Sequence, residues 1–308
     1  MSAIQPSPLF KYRDDSPRTE QILTNGKVWL STANQLNDPL ECKTGQISEE
    51  WKQKKIREME NAQIGSFAMA AAPAMTGERP FFSLSHRAAK KWFKQFKRLK
   101  THKERYSAVR SFLKDQGNEL SRPADLFERF DRQLAQVGVF SLSECPDNQL
   151  MWAHYAASHT GIAFGFERVS ASKLASSEHT MQVVYGNSKP IFGDGFINQI
   201  SISGSPGQMI SEQKISFNDP TFRAAFTTKP DVWSYEREWR YVEETSGFFP
   251  WPGPIVSVVF GLKMSPNRRK HYASLVSSGA QSSVAFYEMS IAANNAHFEM
   301  IPWSVAKS

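Results

Sequence analysis

The chain has 308 residues, of which 40% are hydrophobic and 22% carry a charged side chain, so a disordered chain is excluded. No apolar stretch approaches the roughly 18 residues of a membrane helix, and no basic segment followed by an apolar one opens the sequence, so we expect neither a membrane span nor a secretory signal. Two cysteines, Cys42 and Cys145, do not make a disulfide framework. We therefore expect a reducing, cytoplasmic location.

The net charge is +7, and the excess is concentrated in one segment. Between Arg87 and Arg105 lie nine lysines and arginines against one acid, Glu104. Such a segment attracts nucleic acid and other polyanions, and it equally fits a basic helix face that only meets solvent. If nucleic acid is the partner, the contacts we expect are Lys90, Lys91, Lys94 and Lys97.

The N-terminal quarter predicts a strand, a helix and a second strand. Residues 9–13 are short and aromatic, as in a strand. Ser16-Pro17 suits a helix start and Asn25-Gly26 a helix end, because serine caps, proline fits the first turn and glycine tolerates the left-handed cap. Residues 27–31 follow as the second strand.

Residues 49–136 predict a basic helical insertion or cap within a single domain that spans 1–308. Apolar residues recur at helical spacing over 49–62, 86–116 and 123–136. Between the first two helices, the small residues of 68–77 predict a linker.

The rest of the chain predicts the β core. Strands are expected at 137–143, 161–166, 183–185, 238–243, 255–260 and 284–289, helices at 148–158 and 266–277, and a long loop at 187–220. The fold class is therefore α+β, with a mixed or antiparallel β core and a helical insertion.

Two polar-aromatic motifs have a structural and a functional interpretation each. Asn37-Asp38-Pro39 favours a turn, although Asp38 or Glu41 can also face a site. In Met151-Trp152-Ala153-His154-Tyr155 the spacing is that of a packed helix face. His154 and His159 are five residues apart, which is not the spacing of two ligands on one helix face, so we predict no metal site.

Residues 233–240 are the most informative stretch. If they enter a strand, Glu236, Glu238 and Arg240 share one face. Two close carboxylates raise each other's pKa and suit acid–base work or the stabilisation of a cation. The alternative is a structural cluster in which Arg240 and Lys229 neutralise them.

These motifs form an ordered series along the chain. The series is Phe10-Lys11-Tyr12-Arg13, Trp29-Leu30-Ser31, Asn37-Asp38-Pro39-x-Glu41, Met151-Trp152-x-His154-Tyr155, His159-x-Gly161 and Glu236-x-Glu238-Trp239-Arg240. It resembles a bacterial family of unknown function, whose members also carry a late strand similar to 258–261. The resemblance spans most of the chain except the basic segment, and it implies a bacterial or phage origin but no reaction.

A more distant similarity is to the ADP-ribosyltransferases, which would imply a split β-sheet and NAD as substrate. By this resemblance Arg13 holds the NAD phosphates or ribose, and Ser31-Thr32 shapes the nicotinamide pocket. Glu238 stabilises the oxocarbenium and Glu236 orients the acceptor. Because Ala33 stands third in the Ser-Thr-Ser position, Ser141-Leu142-Ser143 competes with Ser31-Thr32. The remaining expected NAD contacts are Tyr12, Trp152, Tyr155 and His159.

Three functions follow from these observations. The first is an NAD-consuming ADP-ribosyltransferase-like enzyme, a toxin or anti-phage defence effector acting on a polyanionic or protein acceptor. The second is a nucleic-acid-binding defence or toxin module, or a nuclease that uses Asp38, Glu41, Glu236 and Glu238 around a divalent metal. The third is a non-catalytic interaction protein. The acceptor and the oligomeric state do not follow from the sequence.

Overall fold

The structure is a computed structural model. It describes residues 7–38, 41–45, 47–77, 81–188, 198–205, 208–215, 217–278, 284–293 and 297–304. Within these ranges, no helix has both the length and the apolar character that crossing a bilayer requires.

The chain divides into two compact units. The sheet unit comprises Met1–Lys43, Gln133–Pro190 and Arg223–Ser308, and the helical unit comprises Thr44–Arg132 and Ile191–Phe222. The helical unit thus takes in most of the predicted insertion 49–136 and, in addition, residues that follow 190. That the whole of 1–308 is one domain stays a prediction.

Eight α-helices lie in the described ranges. They are α1 (Pro17–Asn25), α2 (Glu49–Thr76), α3 (His86–Phe96), α4 (His102–Asp115), α5 (Leu126–Gln136), α6 (Gln149–Tyr155), α7 (Pro220–Thr227) and α8 (Pro266–Ser278).

Fourteen strands lie in the same ranges. They are β1 (Leu9–Arg13), β2 (Lys27–Leu30), β3 (Gly138–Ser143), β4 (Ile162–Phe166), β5 (Thr180–Gln182), β6 (Val184–Tyr185), β7 (Asn198–Ser205), β8 (Gln208–Ile215), β9 (Thr228–Lys229), β10 (Glu238–Glu243), β11 (Gly247–Pro250), β12 (Ile255–Phe260), β13 (Ala285–Ile291) and β14 (Phe298–Pro302).

Eight of these strands form the main sheet of the sheet unit, in the order β14-β13-β12-β4-β1-β3-β10-β5. Strands β12 and β13 are parallel, and the other neighbours are antiparallel. The predicted combination of helices with a mixed β-sheet is therefore confirmed.

Alternating side chains cover both faces of this sheet. On β4, Ile162, Phe164 and Phe166 belong to one apolar cluster, which α1 and α8 cover with residues such as Ile22 and Val276. Ala163 belongs to the cluster on the opposite face, where α6 packs Met151 and Trp152. Strand β1 lies in the middle of the sheet, so its polar side chains, Lys11 and Arg13, are partly buried.

Two predictions for the helical unit were wrong in their boundaries. The supposed linker 68–77 is helical, and α2 runs to Thr76 with Pro73 inside its last turn. Alanine has the highest helix propensity, so this run of small residues extends the helix. The predicted helix 86–116 is two helices, because Thr101 and Glu104 form a capping box that begins α4.

The segment predicted as a long loop, 187–220, contains the antiparallel pair β7–β8. The remainder of that prediction at 189–197, 206–207 and 216 lies outside the described residues.

Candidate active site

A cavity of about 440 Å³ lies within the sheet unit, at the ends of β1 and β3. Its size is in the range of small-molecule sites, about 300–1,000 Å³. Charged, hydroxyl and aromatic side chains share its wall. The lining residues that the following paragraphs use are Lys11, Tyr12, Arg13, Ser31, Asn37, Glu41, Ser141, Tyr155, Lys229, Glu236 and Glu238.

The cavity opens where β1 and β3 stop pairing. Strand β1 pairs with β4 at five positions but with β3 at one, Phe10 with Ser143. Beyond this pair β3 bridges instead to Ser31, through Val139. The Lys11 ammonium spans the gap and donates a hydrogen bond to the Ser141 carbonyl at 2.9 Å. The two strands thus diverge at the place where the polar side chains lie.

Glu236 and Glu238 reach this cavity from different local structures. Residues Asp231–Glu236 form a 3-10 helix, and Arg237 has a left-handed φ of 44° before β10 begins at Glu238. The prediction that a strand aligns Glu236, Glu238 and Arg240 was therefore wrong for Glu236. Glu238 and Arg240 do share a buried face of β10. Hydrogen bonds from Ser143 and Asn148 to the main-chain oxygens of Glu236 and Tyr235 hold the 3-10 helix in place.

Lys229 lies at the centre of three carboxylates. Its Nζ is 2.5 Å from Glu236 Oε2, 3.0 Å from Glu238 Oε2 and 3.1 Å from Glu41 Oε1. Its side chain is 5% exposed. An ammonium with three hydrogens can satisfy three acceptors in this way.

Arg240 closes the cluster on the side away from Glu236. Its guanidinium donates from Nε to Glu238 Oε1 at 2.8 Å and from Nη2 to Glu238 Oε2 at 3.1 Å, and it also pairs with Glu41. Nη1 donates to the Phe226 carbonyl at 2.7 Å. Both carboxylate oxygens of Glu238 are thus occupied in a bidentate pair. We name Glu41, Lys229, Glu236, Glu238 and Arg240 the charge cluster.

Three carboxylates face two cations in the charge cluster, which leaves one excess negative charge when all are ionised. Burial disfavours ionisation of Glu238, but Arg240 and Lys229 outweigh it and lower the pKa of Glu238 to about 2. For Glu236, burial raises the pKa above its ordinary value, although Lys229 and Tyr155 oppose the shift. Of these two glutamates, Glu236 therefore accepts a proton more readily than Glu238.

Tyr155 connects the Met-Trp-x-His-Tyr motif to the charge cluster. Helix α6 begins at its cap Asn148, whose side chain accepts from the main-chain N–H groups of Leu150 and Met151. One face of the helix then packs Met151 and Trp152 into the core. Tyr155 packs against the same cluster, and its hydroxyl donates to Glu236 Oε1 at 2.6 Å. The motif thus has both a structural and a cavity-facing residue.

A hydrogen bond from the Trp233 indole holds the turn at Asn37-Asp38 in place. Asp38 is buried, and its carboxylate accepts from Trp233 Nε1 at 3.1 Å, while Asn37 lines the cavity. Pro39, the third residue of this motif, lies outside the described residues. The contact joins the turn to the 3-10 helix that carries Glu236.

Six of the residues assigned to catalysis or NAD binding line the cavity: Tyr12, Arg13, Ser31, Tyr155, Glu236 and Glu238. Three do not line it. Trp152 is fully buried against Tyr12 and donates to the Pro146 carbonyl, and Thr32 caps a short 3-10 helix. His159 packs against Phe298, so the expected ligand contacts from these three are not supported by their positions.

The backbone between α6 and β4 takes an unusual path. Ala157, Ser158 and His159 have φ angles of 46°, 53° and 72°, which place three consecutive non-glycine residues in the left-handed region. Such residues cost on the order of 1 kcal/mol each and persist where the surroundings fix them. Gly161 then passes so close to β1 that a Cβ would lie 2.1 Å from the Arg13 carbonyl oxygen.

We therefore expect Gly161→Ala to lower the free energy of unfolding by about 1–3 kcal/mol, because main chain must move to admit the methyl group. Urea unfolding followed by circular dichroism measures the change. Gly186→Ala is the matched control, since a Cβ there meets no atom within 4 Å. Equal stability of the two variants would contradict the close approach.

Sequence reasoning missed Lys11 and Ser141 as partners, and it named Lys229 and Glu41 without their central positions. A lysine between aromatic residues in a strand is a usable signal for Lys11. The motif that contains Glu41 does not indicate its pairing with Arg240, because the two residues are 199 positions apart.

The geometry argues against a metal at the charge cluster, because the Lys229 ammonium already lies between the three carboxylates. In the part of the chain that the structure describes, no group of three or more His, Cys, Asp or Glu side chains is arranged to hold a metal ion. The Asp38 carboxylate of the predicted nuclease site accepts from an indole instead.

The sheet unit is thus a mixed β-sheet with helices packed on it, and its buried charge cluster lines a cavity large enough for a small molecule. The family described as "Protein of unknown function (DUF2971)" matches residues 151–241. The match contains Tyr155, Lys229, Glu236, Glu238 and Arg240 but neither β1 nor Glu41. The predicted resemblance to a family of unknown function is confirmed for this range. No curated protein and no solved structure matches the chain.

Proposed function

We propose that the sheet unit is an enzyme that consumes NAD at this cavity and transfers ADP-ribose to an acceptor, as the distant resemblance implies. The resemblance gives the stabilisation of the oxocarbenium to Glu238 and the orientation of the acceptor to Glu236, and the proposal departs from it here: Glu236 carries the chemistry and Glu238 holds the charge cluster together. Both Glu238 oxygens are bound by cations, Arg240 and Lys229, whereas Glu236 accepts from the Lys229 ammonium on one oxygen and from the neutral Tyr155 hydroxyl on the other.

The observation that carries the proposal is the convergence of residues from distant parts of the sequence. Arg13, Ser31, Tyr155 and Glu236 line one cavity although up to 223 positions separate them. Arg13 suits a phosphate or ribose hydroxyl, because its guanidinium makes two long contacts, to Thr19 at 3.4 Å and to Asp14 at 3.9 Å. Tyr155 presents an aromatic ring and a hydroxyl at the same wall.

The separation of β1 from β3 supports the proposal in a second way. The resemblance implies a split sheet whose opening admits NAD, and the pair Phe10–Ser143 is the single register position between these strands. The cavity lies beside this junction, so a ligand there meets side chains from both strands.

The chemistry suits the excess negative charge of the charge cluster. When the bond between nicotinamide and ribose breaks, its electron pair leaves with nicotinamide and positive charge develops on the ribose. A fixed, partly buried carboxylate stabilises that charge more strongly than water does. The acceptor then forms the new bond to the ribose carbon, and Glu236 takes the acceptor's proton, which its raised pKa favours.

The test is release of nicotinamide from NAD by the full chain. We expect release that saturates at NAD concentrations below about 1 mM, the upper end of ordinary KM values. Arg13→Ala should raise KM by roughly ten-fold or more, since it removes a charge-assisted contact worth about 1.5–3 kcal/mol. Absence of NAD binding at millimolar concentration would sink the proposal.

A second candidate function is nucleic-acid binding by the helical unit. On α3, Ala89 and Phe93 are buried in an aromatic cluster that includes Phe67 and Phe112. Lys90, Lys91 and Lys94 on the same helix, and Lys97 at its end, are exposed. The helix is thus fixed by its apolar face and carries its charge on the outside.

We expect the quadruple replacement of Lys90, Lys91, Lys94 and Lys97 with Glu to weaken binding to double-stranded DNA or RNA by at least roughly 100-fold at low salt. It should also flatten the salt dependence, by up to about 0.9 in slope for each lost phosphate contact. Fluorescence anisotropy from 50 to 200 mM salt measures both. The control reverses four other exposed lysines, Lys27, Lys54, Lys114 and Lys263, and so has the same net charge. If both variants lose the same binding affinity, net charge alone accounts for the effect and α3 is not a specific contact.

A further inference from the structure

The Lys11 amine is the reactive group of the cavity that the proposed NAD chemistry does not use. It lines the cavity, donates to the Ser141 carbonyl at 2.9 Å and lies 4.7 Å from the centre of the Phe140 ring. It forms no ion pair with any carboxylate that the structure describes. Lys229, which lines the same cavity, is by contrast surrounded by carboxylates.

Its surroundings favour the neutral amine. Burial and the Arg13 guanidinium lower the pKa of Lys11 to about 7, against weaker opposition from Glu238 and Glu236. Roughly half of the amine is therefore neutral near pH 7, when exposed lysines, with pKa values near 10.4, are almost wholly protonated. A neutral amine is a nucleophile, and burial beside another cation is the usual way in which proteins create one.

Two further features of the cavity suit a reaction at this amine. Arg13 lies two residues along β1 on the same face as Lys11, and 34% of its side chain is exposed, so it can bind an anionic group next to the amine. Glu236, hydrogen-bonded to Tyr155, lines the same cavity, and burial raises the pKa of its carboxyl above the ordinary value. A nucleophile, an anion contact and an acid therefore share one opening.

We propose that Lys11 forms an imine with a small aldehyde or ketone that carries a carboxylate or phosphate bound by Arg13. The nitrogen lone pair attacks the carbonyl carbon and the C=O π electrons move to oxygen. One proton passes from the nitrogen to that oxygen, Glu236 donates a second proton to it, and the oxygen leaves as water as the C=N bond forms. The remaining nitrogen proton returns to Glu236, which gives the neutral imine. This reaction does not require that NAD is a substrate.

The experiment labels the folded, unmodified chain with glyoxylate and sodium cyanoborohydride at pH 7, and it locates the reduced adducts by peptide mass spectrometry. We expect Lys11 to be labelled roughly ten-fold or more faster than the exposed Lys27, because its neutral fraction is far larger. In urea-unfolded chain the two lysines should be labelled at the same rate. Labelling in the folded chain at the rate of Lys27 would overturn the proposal, and this comparison needs no variant to fold.

The role of Arg13 is tested by Arg13→Gln with two probes. Glyoxylate carries a carboxylate and acetaldehyde does not, so the variant should slow labelling of Lys11 by glyoxylate several-fold more than labelling by acetaldehyde. An equal effect on both probes would overturn the anionic substrate class. Nicotinamide release from NAD is measured separately, and its failure leaves the labelling result intact.

Discussion

Lys229→Met is expected to lower the free energy of unfolding by about 3–5 kcal/mol at pH 7, the cost of leaving a buried charge without its partner. Methionine keeps most of the side-chain volume but removes the ammonium that three carboxylates share. Arg240 then remains as the cation of the charge cluster, and it contacts Glu238 and Glu41 but no atom of Glu236 that the structure records. The loss follows from uncompensated negative charge and not from a cavity.

This origin predicts how the loss depends on pH. In the unmodified chain the pKa of Glu238 is lowered to about 2, so its ionised form stabilises the fold above the ordinary glutamate pKa, and that contribution is lost as pH falls towards 2. In Lys229→Met the carboxylates bind protons at higher pH, which relieves their repulsion. The difference between the two proteins should therefore shrink as pH falls from 7 to 4.

Urea unfolding at pH 7 and pH 4, followed by circular dichroism, gives both values. The control is Lys173→Met, which removes a lysine that is 48% exposed and pairs with Glu243, and it should cost less than about 1 kcal/mol. A Lys229→Met loss below 1 kcal/mol, or one that is unchanged between the two pH values, would contradict the shared-ammonium arrangement.

The sequence predicted those elements whose evidence is local. Helix α1 begins after Ser16 and ends before Gly26 as expected, because the signals for its ends are adjacent to it: Pro17 occupies the first turn and Gly26 is left-handed, although the Ser16 side chain makes no capping hydrogen bond. The prediction at 68–77 was wrong because it took small residues as the mark of a linker. Alanine has a high intrinsic helix propensity, so an alanine-rich segment favours a helix. Over 86–116 the apolar spacing continues across two helices, and the capping box at Thr101 was the signal that divides them.

The site was predictable as a set of residue types but not as an arrangement. Glu236 and Glu238 were predicted as site residues because two close carboxylates suit acid–base work, with Arg240 as a partner that can neutralise them. That Lys229 bridges them and Glu41 depends on contacts with partners up to 188 positions away. Burial of Lys11 depends likewise on the central place of β1 in the sheet, which neighbouring residues do not encode. Periodicity in a sequence indicates local secondary structure. The pKa of a side chain depends instead on burial and on charges that distant segments of the chain place beside it.

The roles of the two glutamates are separated by comparing Glu236→Gln with Glu238→Gln. We expect Glu236→Gln to reduce kcat for nicotinamide release by about 100- to 1,000-fold, since it removes the charge that stabilises the ribose cation and the group that accepts a proton. Its stability should change less than that of Glu238→Gln, because the amide oxygen can accept from Lys229 while the amide NH2 donates to the Tyr155 hydroxyl oxygen, and the excess negative charge is removed.

Glu238→Gln is expected to act chiefly on stability. An amide cannot accept both arms of the Arg240 guanidinium, so the variant leaves a buried donor without its acceptor and should lose about 2–4 kcal/mol of unfolding free energy. The matched control is Glu178→Gln, an exposed glutamate outside the cavity, for which neither kcat nor stability should move. If Glu236→Gln keeps kcat within threefold of the unmodified chain, or loses as much stability as Glu238→Gln, both carboxylates are structural and the chemistry assigned to Glu236 is wrong.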